Sequence, residues 1–103
     1  MKIAVTSKCN SVNSEIDSRF GRCTFFAIYD TDSKEVCFVE NPAKNSESGA
    51  GPAAVAFIAK QGVNKIVSGE FGMKIKSILE SLNIEMVTVK EDKCVSDVID
   101  EMK

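Results

Sequence analysis

Short strand-like runs alternate with stretches of helical apolar spacing, and that alternation limits the chain to an α/β architecture. Ile75, Ile78, Leu79 and Leu82 fall at i, i+3, i+4 and i+7, and Val95, Val98, Ile99 and Met102 repeat the spacing. Each set lines one stripe of a helix, predicted over Met73–Leu82 and Val95–Met102. Lys65–Ser68 and Glu85–Val89 are short β-rich runs beside them. Upstream, Lys2–Thr6, Phe25–Asp30 and Val36–Glu40 read as strands, the last two joined by the polar hairpin loop Thr31–Glu35. A further helix is predicted from Gly51-Pro52, with Pro52 at its first position, where a missing N–H costs nothing; Gly62 ends it after Gln61. A hairpin followed by βαβ units predicts a mixed five-stranded sheet with helices on its faces.

The chain has 103 residues, 44% hydrophobic and 27% charged. That is one domain, 1–103, with enough apolar surface for a core without disulfide staples. Thirteen Lys and Arg against 15 Asp and Glu leave a net charge of −2. This argues against nucleic acid as a partner, since such binders carry a strongly basic face. Histidine is absent, which excludes Ser-His-Asp triads, Cys-His dyads and His-ligated zinc. The opening apolar run is too short for a signal peptide, and no later run approaches a membrane span. The expectation is a cytoplasmic protein with no membrane partner, and a monomer. Cys9, Cys23, Cys37 and Cys94 form no CxxC pair, so zinc-ribbon and thioredoxin-like motifs are missing.

Topology then concentrates the chemistry. If the second strand is antiparallel and the other four are parallel, the loops Ser7–Thr24, Asn41–Gly51, Gly69–Gly72 and Lys90–Cys94 share one sheet edge. Those are the carboxyl ends of the parallel strands, where open α/β sheets bind ligands. Cys9, Cys23 and Cys94 lie in or beside these loops, with Arg19, Arg22, Lys8, Lys44, Lys90 and Lys93, and two helices begin there. Thiolates, cations and helix N-termini suit an anionic ligand holding a soft metal and sulfide. Cys23 is the leading metal ligand, with Arg22 beside it to favour the thiolate; Cys9 and Cys94 are further candidates. Each cysteine also has a plainer reading as a small packed filler, and Cys37, inside a strand, is expected to be buried and structural. Ser7–Thr24, long and polar, is expected to be the most mobile segment. Glu40 and Glu70 are the carboxylates near this edge; neither has a partner at a spacing that builds a metal-dependent catalytic set.

Asp17-Ser18-Arg19-Phe20-Gly21-Arg22-Cys23-Thr24-Phe25-Phe26 resembles the (H/R)FGR(A/C)xxF signature of the dinitrogenase iron–molybdenum cofactor biosynthesis family, which includes NifX, NafY and the C-terminal part of NifB. Asn41-Pro42 followed by Gly49-Ala50-Gly51-Pro52-Ala53-Ala54 resembles its second signature, and Lys60-Gln61-Gly62-Val63 and Gly69-Glu70-Phe71-Gly72 keep its spacing. The resemblance implies a three-layer α/β/α, ribonuclease H-like fold. It also implies a small non-catalytic carrier or chaperone for an iron–sulfur or iron–molybdenum type cluster, with metallocluster donor and acceptor proteins as partners. Arg19, Phe20, Gly21, Arg22 and Cys23 fall on the first motif and Gly49, Gly51 and Pro52 on the second, which implies cofactor binding there. Many members carry His where this chain has Arg19. Two other functions stand beside the carrier: a regulatory or interaction module that binds a protein or small anion at the same edge, and a metal-dependent nuclease on the same scaffold.

Overall fold

The computed structural model describes residues 1–45, 49–90 and 92–102. The strands are β1 (Lys2–Ser7), β2 (Phe25–Asp30), β3 (Val36–Glu40), β4 (Lys65–Ser68) and β5 (Glu85–Thr88). The helices are α1 (Ala50–Lys60), α2 (Met73–Ser81) and α3 (Val95–Met102). One five-stranded sheet runs in the order β3-β2-β1-β4-β5. β2 pairs antiparallel with both β1 and β3, while β4 is parallel to β1 and β5 to β4. β1, β3, β4 and β5 therefore point the same way, and their carboxyl ends define the edge expected from the sequence.

Strand alternation sorts side chains onto two faces. On one, Ala4, Phe26, Ile28 and Ile66 pack with Ala54, Val55 and Ile58 of α1 and with Ile75 and Leu79 of α2. On the other, Ile3, Val5, Ala27, Tyr29 and Val67 pack with Val95, Val98 and Ile99 of α3. The result is the expected three-layer arrangement, two helices against one face and one against the other. Loops add to both cores: Phe20, Cys23 and Phe71 to the first, Ile16 to the second.

Three details depart from the sequence reading. α1 begins at Ala50, so Pro52 is its third residue; a proline anywhere in the first turn is tolerated because those N–H groups have no intrahelical acceptor. Gly49 precedes the helix at φ 71, a left-handed conformation that suits glycine. Leu82 caps α2 and is 48% exposed rather than part of its buried stripe. Cys37 is exposed on β3, an edge strand that has a strand neighbour on one side only.

Candidate functional site

Four segments leave the carboxyl ends of the parallel strands, and the first divides into two parts. Residues 8–15 are largely exposed; Lys8 N–H donates to Glu15 O at 3.2 Å, and their side chains pair at 3.8 Å. From Ile16 onward the chain is pinned. Ile16 is fully buried and its N–H donates to Lys93 O at 3.0 Å. Asp17 N–H donates to Thr6 O at 3.0 Å, and Thr6 Oγ1 donates back to Asp17 O at 2.6 Å. Asp17 Oδ1 then accepts from the N–H of Arg19 at 3.0 Å and lies 3.4 Å from its Nε. This turn, typical of aspartate, swings the Arg19 side chain outward, 62% exposed. Phe20 goes inward, its ring 5.6 Å from Phe26 and 6.0 Å from Phe71. The premise that Ser7–Thr24 has little burial to hold it is thus corrected for its second half: Ile16, Phe20 and Cys23 are core residues.

Gly21 lays the loop directly on the start of α1. A Cβ on Gly21 would come within 3.0 Å of both N and Cα of Gly51, and a Cβ on Gly51 would overlap the Ile75 side chain. The two motifs noted in the sequence therefore touch through backbone, which only glycine permits. Buried Asn41 fixes this approach. Its Nδ2 donates to Gly21 O at 3.1 Å and Cys23 O at 3.0 Å, and its Oδ1 accepts from Ala43 N–H at 3.0 Å. Exposed Arg22 reaches the other way, donating to Lys44 O at 3.2 Å. Sequence reasoning did not assign Asn41 and Asp17 these roles; Asx turns are the signal that would have found them.

The cysteines are not gathered. Cys23 is fully buried and its thiol donates to Phe20 O at 3.3 Å. Burial, with the nearby Asp17 carboxylate, pushes the thiol up to about 12 despite the Asn41 hydrogen bond. Arg22, expected to favour the thiolate, is not among the groups that shift this thiol; its guanidinium donates to the Lys44 carbonyl. Cys9 is exposed beside Lys8 and Glu15. Cys94, half-buried, stands before α3. Among the described residues no three Cys, Asp or Glu side chains converge into a metal-binding set. Cys9, Cys23 and Cys94 accordingly do not form one ligand group.

Helix starts differ in how they are used. At α3, Val95 and Ser96 N–H groups donate to Ser14 O and Val12 O, and Cys94 N–H to Asp97 Oδ2. Among the described residues, neither α1, behind Gly49, nor α2, behind Gly72, has a side-chain cap, and neither has an acidic residue in its first turn. Their positive ends lie at the same sheet edge as Arg19 and Arg22. Farther along, Thr88, Val89, Lys90 and Lys93 line an open groove of about 540 Å³; Lys93 also pairs with Glu101. Residues 46–48 and Glu91, which belong to the loops expected at this edge, lie outside the described residues.

Comparison with known proteins places this geometry. The chain is 32% identical, over 89 residues, to an uncharacterized protein of Methanocaldococcus jannaschii; the match spans 81% of this chain and 75% of that protein. Its fold superposes on the apo form of the orange protein from Desulfovibrio gigas with a TM-score of 0.92 at 26% identity, over 98% of this chain and 85% of that one. A NifB-type protein from Thermotoga superposes at 0.84 with 27% identity, over the same shares of the two chains. No helix among the described residues is long and apolar enough to cross a membrane. The family model for dinitrogenase iron–molybdenum cofactor proteins matches residues 1–103, and the chain belongs to that family.

Proposed function

We propose that this protein is a small non-catalytic carrier or chaperone, working in the cytoplasm, that holds an anionic iron–sulfur or iron–molybdenum type cluster, or its precursor, at the loop edge of the sheet. The observation that carries this reading is the convergence at one edge of two uncapped helix N-termini and the loop bearing Arg19 and Arg22. Cations and N–H donors bind an anion whose metals are already ligated by sulfide, and they release it intact. The donor set fits that mode better than ligation by three side chains. In this reading Arg19 and Arg22 meet the cargo's charge, and Phe20, Gly21, Gly49, Gly51 and Pro52 hold the two loops in place. Cys23 shapes the floor from within, and Cys9 and Cys94 are the thiols available at the rim. Cluster donor and acceptor proteins follow as partners.

The test is anaerobic incubation with ferrous iron and sulfide, with and without molybdate, then metal and sulfide analysis of the desalted protein. Arg19→Ala combined with Arg22→Ala is expected to lower retained cluster about tenfold, about 1.4 kcal/mol, and added salt to weaken retention by the wild type. Cys23→Ala is expected to leave metal and sulfide content unchanged; a tenfold loss there would return Cys23 to the role of ligand. The lack of a converged ligand set among the described residues favours one second reading, an interaction module for a small anion or protein. Protein that retains no metal or sulfide, yet binds phosphate or sulfate through Arg19 and Arg22, would establish it in place of the carrier.

A further inference from the structure

We propose that β3 is a self-association edge: two copies of this chain pair antiparallel through their β3 strands into one continuous sheet. β3 is one of the two edge strands of the sheet, and its hydrogen-bond parity is fixed by its pairing with β2. Asp30 N–H donates to Glu35 O and Asn41 N–H to Thr24 O, both at 3.0 Å, at the two ends of the β2–β3 register. Glu35, Cys37, Val39 and Asn41 therefore turn their backbone groups toward β2. Val36, Phe38 and Glu40 turn theirs outward, and among the described residues no backbone hydrogen bond to a loop or another element satisfies them. Natural edges are usually blunted by lysine, proline or a bulge; the run from Val36 to Val39 carries none.

One register satisfies the edge from both sides. Centred on Cys37, an antiparallel pair sets Val36 opposite Phe38 of the second copy, and the reverse, as hydrogen-bonded pairs. Cys37 then faces Cys37 of the second copy as a non-hydrogen-bonded pair, where Cα atoms approach to about 4.5 Å. Charge agrees with this alignment: Lys34, just before the strand, comes to the end where the second copy carries Glu40, and symmetry repeats the pair. Centring instead on Phe38 would set Val36 against Glu40. Val36 and Phe38 are only partly buried on the α3 face. There Val36 continues into a shallow groove of about 210 Å³ that includes Val12, Tyr29 and Ile99, which a second copy would extend. Because the two strands run oppositely, the two loop edges end up at opposite ends of the joint sheet, each open to its own ligand.

Sedimentation across a concentration series tests the association, and the azo oxidant diamide tests the register. Diamide takes two electrons and two protons from two thiols, becoming a hydrazine as the disulfide forms. The expected result is a reversible dimer that diamide links covalently, with linkage lost in Cys37→Ser and kept in Cys9→Ser. Glu40→Lys is expected to weaken the dimer roughly fivefold, since exposed pairs are modest and symmetry doubles them. Adding Lys34→Glu to that variant is expected to restore it. A protein that sediments as a monomer at every concentration overturns the proposal, whether or not its edge accepts a strand from some other protein. So does a dimer that diamide does not link through Cys37 and Glu40→Lys does not weaken.

Discussion

At the scale of single residues, Cys23 and Cys37 exchange the roles their sequence neighbourhoods suggest. Cys23 lies in a polar, arginine-flanked loop yet is fully buried, whereas Cys37 lies in an apolar strand yet is exposed. Local alternation says which face of a strand a side chain takes, not whether that strand ends the sheet, and only the sheet order decides. Cys23→Ser is expected to cost roughly 1–3 kcal/mol, the penalty for a poorly accommodated buried hydroxyl; Cys37→Ser should stay within about 0.5 kcal/mol, as at other exposed positions. Urea denaturation of both variants checks the contrast. Native thiol labelling should modify Cys9 and Cys37 and spare Cys23 until the protein unfolds. The raised Cys23 thiol also sets a pH dependence. An unfolded thiol ionises near 9.0 while the folded one holds its proton to about 12, so in that window the folded state binds more protons. Its contribution is complete below about pH 9 and declines as pH rises toward 12, by up to about 1.4 kcal/mol per pH unit. Cys23→Ala lacks this contribution, so the stability gap between wild type and variant should narrow across that window.

At the scale of elements, β2, β3, β4 and α3 are legible from spacing alone because each carries its own apolar period and turn signals bound it. The start of α1 is not, since it depends on a backbone contact between distant glycines: Gly21 sits on Gly51, and Gly51 sits on Ile75 of α2. A strict reading of Pro52 as the first helical residue misses the two residues before it, which become helical because they are sandwiched in this way. Asn41 ties the same assembly from the β3 side through two donated and one accepted hydrogen bond to main chain. Its removal strands buried carbonyls and an N–H together, so Asn41→Ala is expected to cost about 2–4 kcal/mol. Gly21→Ala is expected to cost about 1–3 kcal/mol, because the added methyl meets backbone rather than a yielding side chain. Thermal unfolding of the two variants and their combination checks more than magnitude. Both act on one loop-to-loop contact, so the double variant should lose less than the sum of the singles; strict additivity would mean the loops are positioned independently.

Across the whole molecule, the candidate site exists because topology aligns four segments at one end of the sheet, and that much followed from the order of strands and helices. The division inside the first segment did not. Residues 16–23 are held by partners far away in sequence, with Ile16 N–H on the chain before α3 and Asp17 N–H on β1. Residues 8–15 lie mainly outside, yet their carbonyls at Val12 and Ser14 receive the first amides of α3. No local pattern encodes either arrangement, so a long polar stretch reads as uniformly mobile when it is half core. Hydrogen exchange resolves the two halves. Amides of Cys9 through Asn13 should exchange quickly, being exposed and bonded at most to their own turn. Ile16 and Asp17 should exchange as slowly as the amides of β1, because releasing them requires opening the sheet edge and emptying Ile16, Phe20 and Cys23 from the core. Retained cluster should then slow exchange around Arg19 to Arg22 and at the starts of α1 and α2, and leave β3 unchanged. Exchange that is equally fast from Lys8 through Thr24 would mean the second half is not anchored, and the arginines would have no fixed position from which to hold an anion.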